Sequence, residues 1–559
     1  MSTSSAPQPA PPAPLVEVAG LRVRFGGRRA APVVDGVSFS LARGECLGLV
    51  GESGSGKSVT ARTLAGLTGQ GAVVEYERLA FDGQDSGRFS ESAWRSVRGA
   101  RIGFVMQDAL SSLDALRPVG REIAEPLRLH APLTREQREE KVLALLESVG
   151  VPEPAFRAGQ YPHELSGGLR QRALIASAIA CDPDLVIADE PTTALDATVA
   201  AQVVELLQKV KTADRALLVI SHDLAMVSRI ADRVAVMRAG RIVEQGPTEE
   251  VLRRPSHPYT RELLAAVPSA ASRGARLSPA PAPAARPRAS TRSRQRPAPG
   301  TVLLRAADLT RSFTGADGVE RRAVDGVSFT LAAGETLGIV GESGSGKTTT
   351  ARIVLGLERT DAGTVALRDR PWSALSRAEQ RDERRNLQVI HQDPLASFDP
   401  RHTVERVLAE ALRVARVPRG PRRRERLLDL LDLVGLDAGM LRRRPAELSG
   451  GQRQRVAIAR ALAPEPEVVV CDEPVSALDV SVQARILDLL RDLQRDLGLA
   501  YLFISHDLGV VHHLSDRVLV MKDGAVVESG DVEDVFTRPA HPYTRTLLNA
   551  VPRLTTTGD

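Results

Sequence analysis

Several features of membrane-spanning and secreted proteins are missing from this sequence. None of its apolar runs approaches the ~20 residues that a helix needs to cross a bilayer. The opening stretch MSTSSAPQPAPPAP has neither a basic start nor an apolar segment, which excludes a secretory signal and predicts a disordered lead over residues 1–14. These absences predict a soluble, cytoplasmic chain.

Cysteine is also scarce, and the charge is nearly balanced. The three cysteines, Cys46, Cys181 and Cys471, are too far apart for a metal or disulfide framework. Each lies in or beside an apolar segment, which predicts the role of a small buried hydrophobic residue. The net charge of +5 is modest for 559 residues and by itself indicates neither a nucleic acid nor a membrane partner.

The sequence contains an internal repeat, in which the second half carries the motifs of the first. The phrases GESGSGKS, ELSGG, ADEPTTALD, ISHDL and HPYTRELLAAVP of the first half return in the same order in the second half as GESGSGKT, ELSGG, CDEPVSALD, ISHDL and HPYTRTLLNAVP. A length of 559 residues suits two sizeable domains. The pattern predicts a tandem duplication of a whole domain, with one copy over residues 15–268 and the other over residues 301–559.

Residues 269–300 separate the two copies. This stretch is rich in proline, alanine and arginine and contains no acidic residue. Because it has little apolar surface to bury, we expect an unstructured or polyproline-like linker rather than a nucleic-acid-binding or lipid-binding segment.

A phosphate-binding loop is the first chemical motif of each copy. An apolar strand, a glycine-rich turn and a helix start fit the pattern G-x-x-x-x-G-K-[ST]. Glycines let backbone N–H groups surround phosphate oxygens, the lysine reaches the β- and γ-phosphates, and the hydroxyl binds Mg²⁺. The predicted ATP-binding residues are Gly51, Glu52, Ser53, Gly54, Ser55, Gly56, Lys57 and Ser58, and then Gly341, Glu342, Ser343, Gly344, Ser345, Gly346, Lys347 and Thr348.

Two acidic residues follow a continuous apolar strand in each copy. Such strands are buried on both faces, and ligands bind at their carboxyl ends. We expect the aspartates to hold the Mg²⁺ shell and the glutamates to orient and deprotonate the attacking water. The residues are Asp189 and Glu190 in DLVIADEP, and Asp472 and Glu473 in EVVVCDEP.

A histidine ends a further apolar strand in each copy. His222 and His506 occupy matching places in ISHDL. A lone histidine at a strand end is usually structural, but its recurrence favours a catalytic position near the γ-phosphate.

The motif LSGG precedes a run without proline and so predicts a helix N-terminus with free backbone donors, a second anion cradle. Its residues are Ser166, Gly167 and Gly168, and Ser449, Gly450 and Gly451. A domain that already holds ATP in its own loop has no evident need for another cradle. We therefore expect each copy's cradle to close over the ATP of the other copy, in an intramolecular head-to-tail dimer.

In this order, the motifs resemble the ATP-binding cassette (ABC) ATPases over nearly the whole chain apart from the lead and the linker. The resemblance implies an α/β fold with two P-loop NTPase domains of the ABC type, each with a RecA-like core, an antiparallel β subdomain and an α-helical subdomain. It also implies roles for six further residues. Gln107 and Gln392 resemble the glutamine-loop residues that contact Mg²⁺, Asp196 and Asp479 resemble the aspartates that cross the dimer interface, and Phe25 and Phe313 are candidates to stack on adenine. A core position is the alternative for the two phenylalanines.

Within that family, the HPYT segments resemble the C-terminal extension of ATPases that drive peptide and nickel importers. Two such extensions imply a fused form of a normally two-subunit pair. Some relatives carry a cysteine cluster for an iron–sulfur centre after this extension. Because residues 269–300 and 553–559 contain no cysteine, we expect no such centre here.

One position departs from the family pattern. The residue after LSGG is Leu169 in the first copy and Gln452 in the second, where the family usually has glutamine. We expect both composite sites to hydrolyse ATP, and the site that pairs Lys347 with Ser166 to be the slower one.

Between the glutamine loop and LSGG, the stretches REQREEKVLALLESVGV and RRRERLLDLLDLVGL place leucines at helical spacing. They predict a helical subdomain whose exposed edge near Gln107 and Gln392 docks a membrane subunit.

The leading interpretation is the energy-coupling ATPase of a peptide importer, peripheral to the cytoplasmic face of the membrane. Its expected partners are two transmembrane permease subunits and an extracytoplasmic solute-binding protein, with no nucleic acid. Nickel chelate, glutathione or another peptide-like solute remains open as cargo. The competing classes are an exporter ATPase and a soluble twin-cassette factor of translation or DNA repair. The proline-rich linker and the scattered cysteines speak against the soluble factor.

Overall fold

The structure is a computed structural model that describes residues 14–27, 30–193, 195–269, 272–279, 297–315, 318–476 and 478–550. The chain divides into two compact units. The first consists mainly of the residues up to Leu195 and of Val199–Leu264, and the second mainly of Ala265–Val551. Most of the predicted lead and much of the predicted linker, residues 280–296, lie outside the described residues.

The first unit is built on a six-stranded sheet. The strands are β3 (Cys46–Gly51), β7 (Ile102–Val105), β8 (Leu185–Asp189), β9 (Ala216–Ser221), β10 (Arg233–Arg238) and β11 (Arg241–Pro247). Their order is β11-β10-β3-β9-β8-β7, and every neighbouring pair is parallel except β10 and β11. Strands β3, β8 and β9 are buried along their whole length, as their continuous apolar sequences predict.

A second, antiparallel sheet covers one face of the first unit. It contains β1 (Val16–Phe25), β2 (Pro32–Leu41), β4 (Ala72–Glu75), β5 (Arg78–Phe81) and β6 (Gln84–Asp85), with β1 paired to β2, β4 and β5. Residues that alternate along β1 and β2 are buried, and they join a core cluster with Leu47, Leu49 and Leu218 of the central sheet. The two sheets therefore share one hydrophobic core.

The helices of the first unit fall into two groups. The first group lies next to strands of the central sheet along the chain. It contains α1 (Lys57–Leu64), α7 (Gly167–Ile179), α8 (Ala197–Val210) and α9 (Leu224–Ile230), followed by α10 (Thr248–Arg253) and α11 (Pro258–Ala265). Between the glutamine loop and α7 lie α3 (Ala109–Ser112), α4 (Val119–His130), α5 (Arg135–Ser148) and α6 (Pro154–Ala158), and α2 (Glu91–Val97) precedes β7. Helix α5 matches the predicted stretch REQREEKVLALLES.

The second unit repeats this plan. Its six-stranded sheet has the order β16-β17-β18-β14-β19-β20, and its antiparallel sheet the order β13-β12-β15. The strands are β12 (Val302–Thr314), β13 (Glu320–Ala332), β14 (Thr336–Val340), β15 (Ala362–Leu367), β16 (Leu387–Ile390), β17 (Val468–Asp472), β18 (Ala500–Ile504), β19 (Arg517–Lys522) and β20 (Ala525–Asp531).

The helices of the second unit also follow the first. They are α12 (Lys347–Val354), α13 (Arg377–Glu383), α14 (Val404–Val414), α15 (Pro421–Leu433), α16 (Gly450–Leu462), α17 (Val480–Leu497), α18 (Leu508–Leu514), α19 (Val532–Thr537) and α20 (Pro542–Ala550). The α/β fold with an antiparallel β subdomain and a helical subdomain in each copy is thereby confirmed.

The cysteine prediction holds for two of the three residues. Cys46 and Cys471 are buried free thiols in β3 and β17, and burial raises the pKa of both. Cys181 is only half-buried, because it lies in the turn after α7 rather than within a strand. For Cys181 the prediction of a buried residue is therefore wrong.

The beginning of the predicted linker packs against the second unit. We call residues 272–279 the strap. Leu277 is buried in the core cluster of the second unit, and Asp488 of α17 accepts hydrogen bonds from the backbone N–H groups of Leu277 (3.1 Å) and Ser278 (2.9 Å). Arg273 and Arg276 add ion pairs to Glu533 and Asp492. The expectation of an unpacked linker is wrong for this part, because Leu277 and the strap's backbone donors find partners on α17.

Within the described residues, the structure contains no helix that is both long enough and apolar enough to span a membrane.

Candidate functional site

The predicted motifs of each unit meet at one edge of the central sheet. In the first unit, β3, β9 and β8 are adjacent parallel strands, so their carboxyl ends lie side by side. β3 ends at Gly51, β8 ends at Asp189, and His222 follows the end of β9. This edge is where open α/β sheets bind ligands.

The phosphate-binding loop depends on glycine at its first position. Gly51 has φ of 146°, and a Cβ atom there would lie 2.2 Å from the backbone oxygen of Met237. In the second unit, Gly341 has φ of 153° and the same 2.2 Å approach to the oxygen of Met521. No side chain fits at either position, because backbone atoms rather than movable side chains fill the space.

The lysine of each loop is buried and turned back onto the loop. Lys57 Nζ donates to the backbone oxygens of Gly51 and Glu52, both at 2.8 Å. Lys347 Nζ makes the equivalent bonds at 2.7 and 2.6 Å. Burial lowers the pKa of Lys347, and the charge of Glu473 opposes that shift. Each ammonium also interacts electrostatically with the glutamate after its acidic strand, Lys57 with Glu190 and Lys347 with Glu473.

The hydroxyl and aspartate predicted to bind Mg²⁺ are in contact. Ser58 Oγ donates to Asp189 Oδ1 at 2.9 Å, and Thr348 hydrogen-bonds to Asp472. Asp189 Oδ2 is buried and has no hydrogen-bond partner among the residues that the structure describes. Burial raises the pKa of Asp189 and of Asp472. An orphaned buried oxygen beside a hydroxyl is a donor set that suits a small divalent cation.

That donor set is sparse. Among the described residues, no group of three or more His, Cys, Asp or Glu side chains is arranged to hold a metal ion. Mg²⁺ usually binds through one or two carboxylates together with water and substrate phosphates, so the sparse set fits Mg²⁺ better than a protein-caged metal.

Glu190 is the centre of a polar cluster. Its Oε2 atom accepts hydrogen bonds from Gln107 Nε2 at 3.2 Å and from Thr193 Oγ1 at 2.9 Å, and it lies 3.1 Å from His222 Nδ1. The sequence predicted Glu190, Gln107 and His222 separately, and the structure brings all three together. Thr193 was not predicted, although its place in DEPTT, three residues after the glutamate, is a signal that could have identified it.

The glutamate and the histidine shift each other's pKa. Burial acts to raise the pKa of Glu190, but the hydrogen bonds from His222 and Thr193 and the charges of His222 and Lys57 together lower it. Burial acts to lower the pKa of His222, but the hydrogen bond and charge of Glu190 and the charge of Asp223 together raise it. The same balance applies to Glu473 and His506. Both pairs therefore favour an ionised glutamate at neutral pH.

The second unit repeats this cluster. Glu473 Oε2 accepts from Gln392 Nε2 at 2.9 Å and lies 3.1 Å from His506 Nδ1. Where the first unit has Thr193, the second has Ser476, whose hydroxyl donates to the backbone oxygen of Glu473 at 3.1 Å.

Both glutamates adopt a strained backbone. Glu190 has φ of 50° and Glu473 has φ of 46°, in the left-handed region that non-glycine residues rarely occupy. Their N–H groups donate to Ile220 and Ile504 on the neighbouring strand, at 2.8 and 3.0 Å. Such strain persists only where surrounding contacts enforce it, and it is concentrated at functional sites.

Helices begin at both LSGG motifs, as predicted, and the serines cap them. Ser166 and Ser449 are the N-cap residues of α7 and α16. Gln452 Oε1 also accepts from the N–H of Ser449 at 3.0 Å, which completes a capping box, whereas Leu169 has no side-chain acceptor for that role. A Cβ atom on Gly168 would lie 2.5 Å from Val199 Cγ1, so this glycine is also needed for packing.

The remaining predicted residues have simpler surroundings. Asp479 caps α17 by accepting from the N–H of Val482 at 3.1 Å, and Asp196 directly precedes α8. Phe25 and Phe313 are 38% and 41% exposed near the ends of β1 and β12, so the alternative of a core position is wrong for both. Their stacking on adenine stays a prediction.

Family models match both copies. The ABC transporter model covers residues 34–193 and 324–476, and the model of the oligopeptide/dipeptide transporter C-terminal region covers residues 243–292 and 527–559. The second model begins just before each HPYT segment and confirms that the segments belong to the C-terminal extension of this transporter family.

The chain is also similar to curated proteins and solved structures. It is 44% identical over 558 residues to the glutathione import ATP-binding protein GsiA of Pectobacterium atrosepticum, covering 96% of this chain and 89% of the relative. It is 45% identical over 549 residues to the peptidoglycan transport ATP-binding protein YejF of Agrobacterium fabrum, covering 96% of each. A dimeric structure of MJ0796, a bacterial ABC transporter cassette, aligns at 28% identity with a TM-score of 0.38 over 41% of this chain and 99% of that one.

The family models cover more than half of this chain, and the relatives span almost all of it. The chain therefore belongs to the ABC transporter family, as an ATP-hydrolysing subunit that carries two cassettes, each with the C-terminal region of the oligopeptide and dipeptide transporters.

Proposed function

We propose that this chain hydrolyses ATP to drive the uptake of peptide-like solutes. The observation that carries the proposal is the C-terminal region of oligopeptide/dipeptide transporters, which follows each of the two nucleotide sites. Two relatives named for glutathione import and peptidoglycan transport support the same solute class, since both solutes contain peptide bonds.

In the proposed mechanism, each phosphate-binding loop grips the ATP of its unit. The backbone N–H groups between Ser53 and Ser58 and the α1 N-terminus attract the phosphates. Lys57 already lies among the loop's carbonyl groups, and its ammonium needs only to exchange these acceptors for phosphate oxygens. Lys347 has the same role in the second unit.

The hydroxyls of Ser58 and Thr348, with Asp189 and Asp472, would hold Mg²⁺, and Gln107 and Gln392 would complete the site. When bound, the ion would neutralise charge that develops on the phosphates. The orphaned Oδ2 atom of Asp189 supports this assignment, because a buried carboxylate oxygen without a partner carries a desolvation cost that a cation would offset.

We assign the proton transfer to the glutamates. Glu190, kept ionised by His222, accepts a proton from the attacking water, and Gln107 fixes the orientation of its carboxylate. Glu473, His506 and Gln392 act in the same way in the second unit. The strained backbone of each glutamate supports a fixed, pre-oriented base.

ATP-binding subunits of ABC importers work with membrane permeases, and we propose two permease subunits and an extracytoplasmic solute-binding protein as the partners of this chain. This assignment places the chain at the cytoplasmic face of the membrane. That the LSGG cradle of one cassette completes the nucleotide site of the other stays a prediction.

Uptake measurements test the proposed function. A strain with Lys57→Ala and Lys347→Ala together is expected to lose uptake of labelled peptides, because both loops lose their phosphate-binding cation. Lys209→Ala is the matched control, since Lys209 is exposed on α8 and far along the chain from either loop. Full uptake by the double variant would contradict the proposal.

The same strains distinguish the solutes. Dipeptides, longer peptides, glutathione and a nickel chelate are each supplied in labelled form to the intact and the double-variant strains. Loss of peptide or glutathione uptake supports the peptide-like class. Loss confined to the nickel chelate would overturn it, and ATPase activity stimulated by ribosomes or DNA would favour the soluble factor.

A further inference from the structure

The two HPYT motifs open helices α11 and α20 in the same way. His257 Nδ1 accepts a hydrogen bond from the N–H of Tyr259 at 3.1 Å, and His541 Nδ1 accepts from the N–H of Tyr543 at 3.2 Å. Each histidine thus uses its ring to satisfy a backbone donor of the first helical turn. This geometry fixes the direction of the tyrosine two positions later.

A glutamate from the preceding strand holds each motif in place. Glu244 of β11 accepts from the N–H groups of Ser256 (2.7 Å) and His257 (3.2 Å). Glu528 of β20 accepts from the N–H groups of Ala540 (2.7 Å) and His541 (3.0 Å). The extension is therefore tied to the central sheet of its own unit rather than attached only by its chain.

Each tyrosine reaches the phosphate-binding loop. The hydroxyl of Tyr259 accepts a hydrogen bond from the N–H of Glu52 at 3.3 Å, and that of Tyr543 accepts from the N–H of Glu342 at 3.1 Å. Both tyrosines are buried, at 3% and 8% exposure. Burial raises the pKa of Tyr543 to about 12, so its hydroxyl stays protonated at neutral pH.

The rings of both tyrosines pack under a cation. Arg238 Cζ lies 4.6 Å from the ring centroid of Tyr259, and Lys522 Nζ lies 5.1 Å from that of Tyr543. These cations end β10 and β19, the strands next to β3 and β14. The stacking restrains the ring, and with it the hydroxyl that meets the loop.

The residue held by each tyrosine is also held by the loop lysine. Glu52 donates its backbone N–H to Tyr259, and its backbone oxygen accepts from Lys57. Glu342 makes the same two bonds with Tyr543 and Lys347. When the lysine turns to phosphate, the tyrosine hydroxyl remains as a side-chain contact to the loop's first turn, beside the backbone hydrogen bonds from Ser55 to Glu52 and from Ser345 to Glu342.

We infer that Tyr259 and Tyr543 are positioning residues that fix the first turn of the phosphate-binding loop, so that each HPYT extension sets the ATP affinity of its own cassette. The inference rests on the proposal that these loops bind the phosphates, and it is independent of the transported solute. The inference is supported by the same tyrosine–loop hydrogen bond in both units.

The test removes only the hydroxyl. Tyr259→Phe, Tyr543→Phe and the double variant are made in the full chain, and the dissociation constant for ATP and the KM and kcat of hydrolysis are measured. Loss of one hydrogen bond is expected to raise the dissociation constant and KM at the altered site roughly three- to tenfold, with a smaller change in kcat. The double variant is expected to show the rise at both sites.

Tyr501→Phe is the matched control. The Tyr501 hydroxyl donates to the backbone oxygen of Leu490 at 2.9 Å inside the core of the second unit, away from the loop. This variant undergoes the same chemical change, and its ATP affinity is expected to stay at the wild-type value.

Three results would overturn the inference. These are wild-type ATP affinity in the double variant, an equal loss of affinity in Tyr501→Phe, and a fall in kcat with KM unchanged. ATP affinity altered as expected in the tyrosine variants, together with full peptide uptake by the Lys57→Ala/Lys347→Ala strain, would count against the transport proposal alone.

Discussion

Helix α8 of the first unit and helix α17 of the second follow the same ALD motif, but their outer surfaces differ. Asp488 of α17 is 2% exposed and accepts three hydrogen bonds from the strap, two from backbone N–H groups and one from the Ser278 hydroxyl. The equivalent residue of α8, Glu205, is exposed. The nucleotide-site motifs are the same in both units. The contact between the strap and α17 is a feature of the second unit.

A second difference lies at the LSGG helix. Gln452 completes a capping box on α16, and Leu169 leaves the N-cap of α7 with the serine contact alone. The two units thus share the cluster of glutamate, glutamine and histidine and differ in what supports the elements around it. Variants in matched positions can show which of these differences affects activity and which affects stability.

The largest expected effect comes from the two glutamates that we propose as bases. Glu190→Gln and Glu473→Gln should each abolish hydrolysis at their own site, roughly 100-fold or more, because the amide cannot accept the proton. If Leu169 slows the site that uses Glu473, Glu190→Gln will cost more total ATPase activity than Glu473→Gln. Steady-state phosphate release measures both, with Glu205→Gln as the exposed control. Equal losses would contradict the asymmetry.

The second-largest expected effect is a loss of stability when the strap loses its contact with α17. Asp488→Ala leaves the buried N–H of Leu277 and that of Ser278 without acceptors, which is expected to cost about 2–4 kcal/mol of unfolding free energy. Glu205→Ala, the matched change on the first unit, should stay within about 0.5 kcal/mol. Urea unfolding of the full chain compares the two. Equal stability of both variants would show that the strap contributes nothing.

A pH dependence follows from the paired histidine. Glu190 raises the folded-state pKa of His222 above its ordinary value of 6.5, so the pair's stabilising contribution is fully present below that value and is lost as pH rises through the raised pKa. Unfolding free energy of the wild type should therefore fall relative to His222→Gln as pH rises above 6.5, by less than the Asp488 effect. Parallel profiles for the two proteins would refute the pairing.

The smallest expected effect is at the LSGG helix. Gln452→Leu removes the second half of a capping box, and Leu169→Gln can supply one, so the two changes should shift stability in opposite directions by about 0.5–1 kcal/mol. Thermal unfolding and ATPase activity of the two variants check this. A shift of the same sign in both would show that the capping difference is not what distinguishes the units.

Much of the nucleotide site was predictable from sequence because its parts are local. The loop from Gly51 to Ser58, the strand that ends at Asp189 and the helix cap at Ser166 each follow from residue pattern within a few positions. Phe25 shows the limit of that reasoning, since sequence could not distinguish a core position from an exposed one. Burial depends on which strands pair with β1, and that is decided by distant residues.

Contacts between segments that are far apart in the chain could not be predicted from the sequence. The approach of Tyr259 to Glu52 and the packing of the strap on α17 join segments that no local pattern relates. The composition of the strap is also typical of a linker, because arginines and serines surround its one buried apolar residue, Leu277.

By itself, the sequence determined the duplication and the α/β class, and it indicated the glycine-rich loop, the acidic residues and the histidine of each candidate site, because short motifs with fixed spacing specify them. Only the tertiary structure decided which oxygen of Glu190 meets His222 and Gln107, that both glutamates are held in a left-handed backbone, and that the repeated HPYT segment reaches the phosphate-binding loop. The physical reason is that these features depend on the order of strands in the sheet, which brings together side chains that are far apart in the chain.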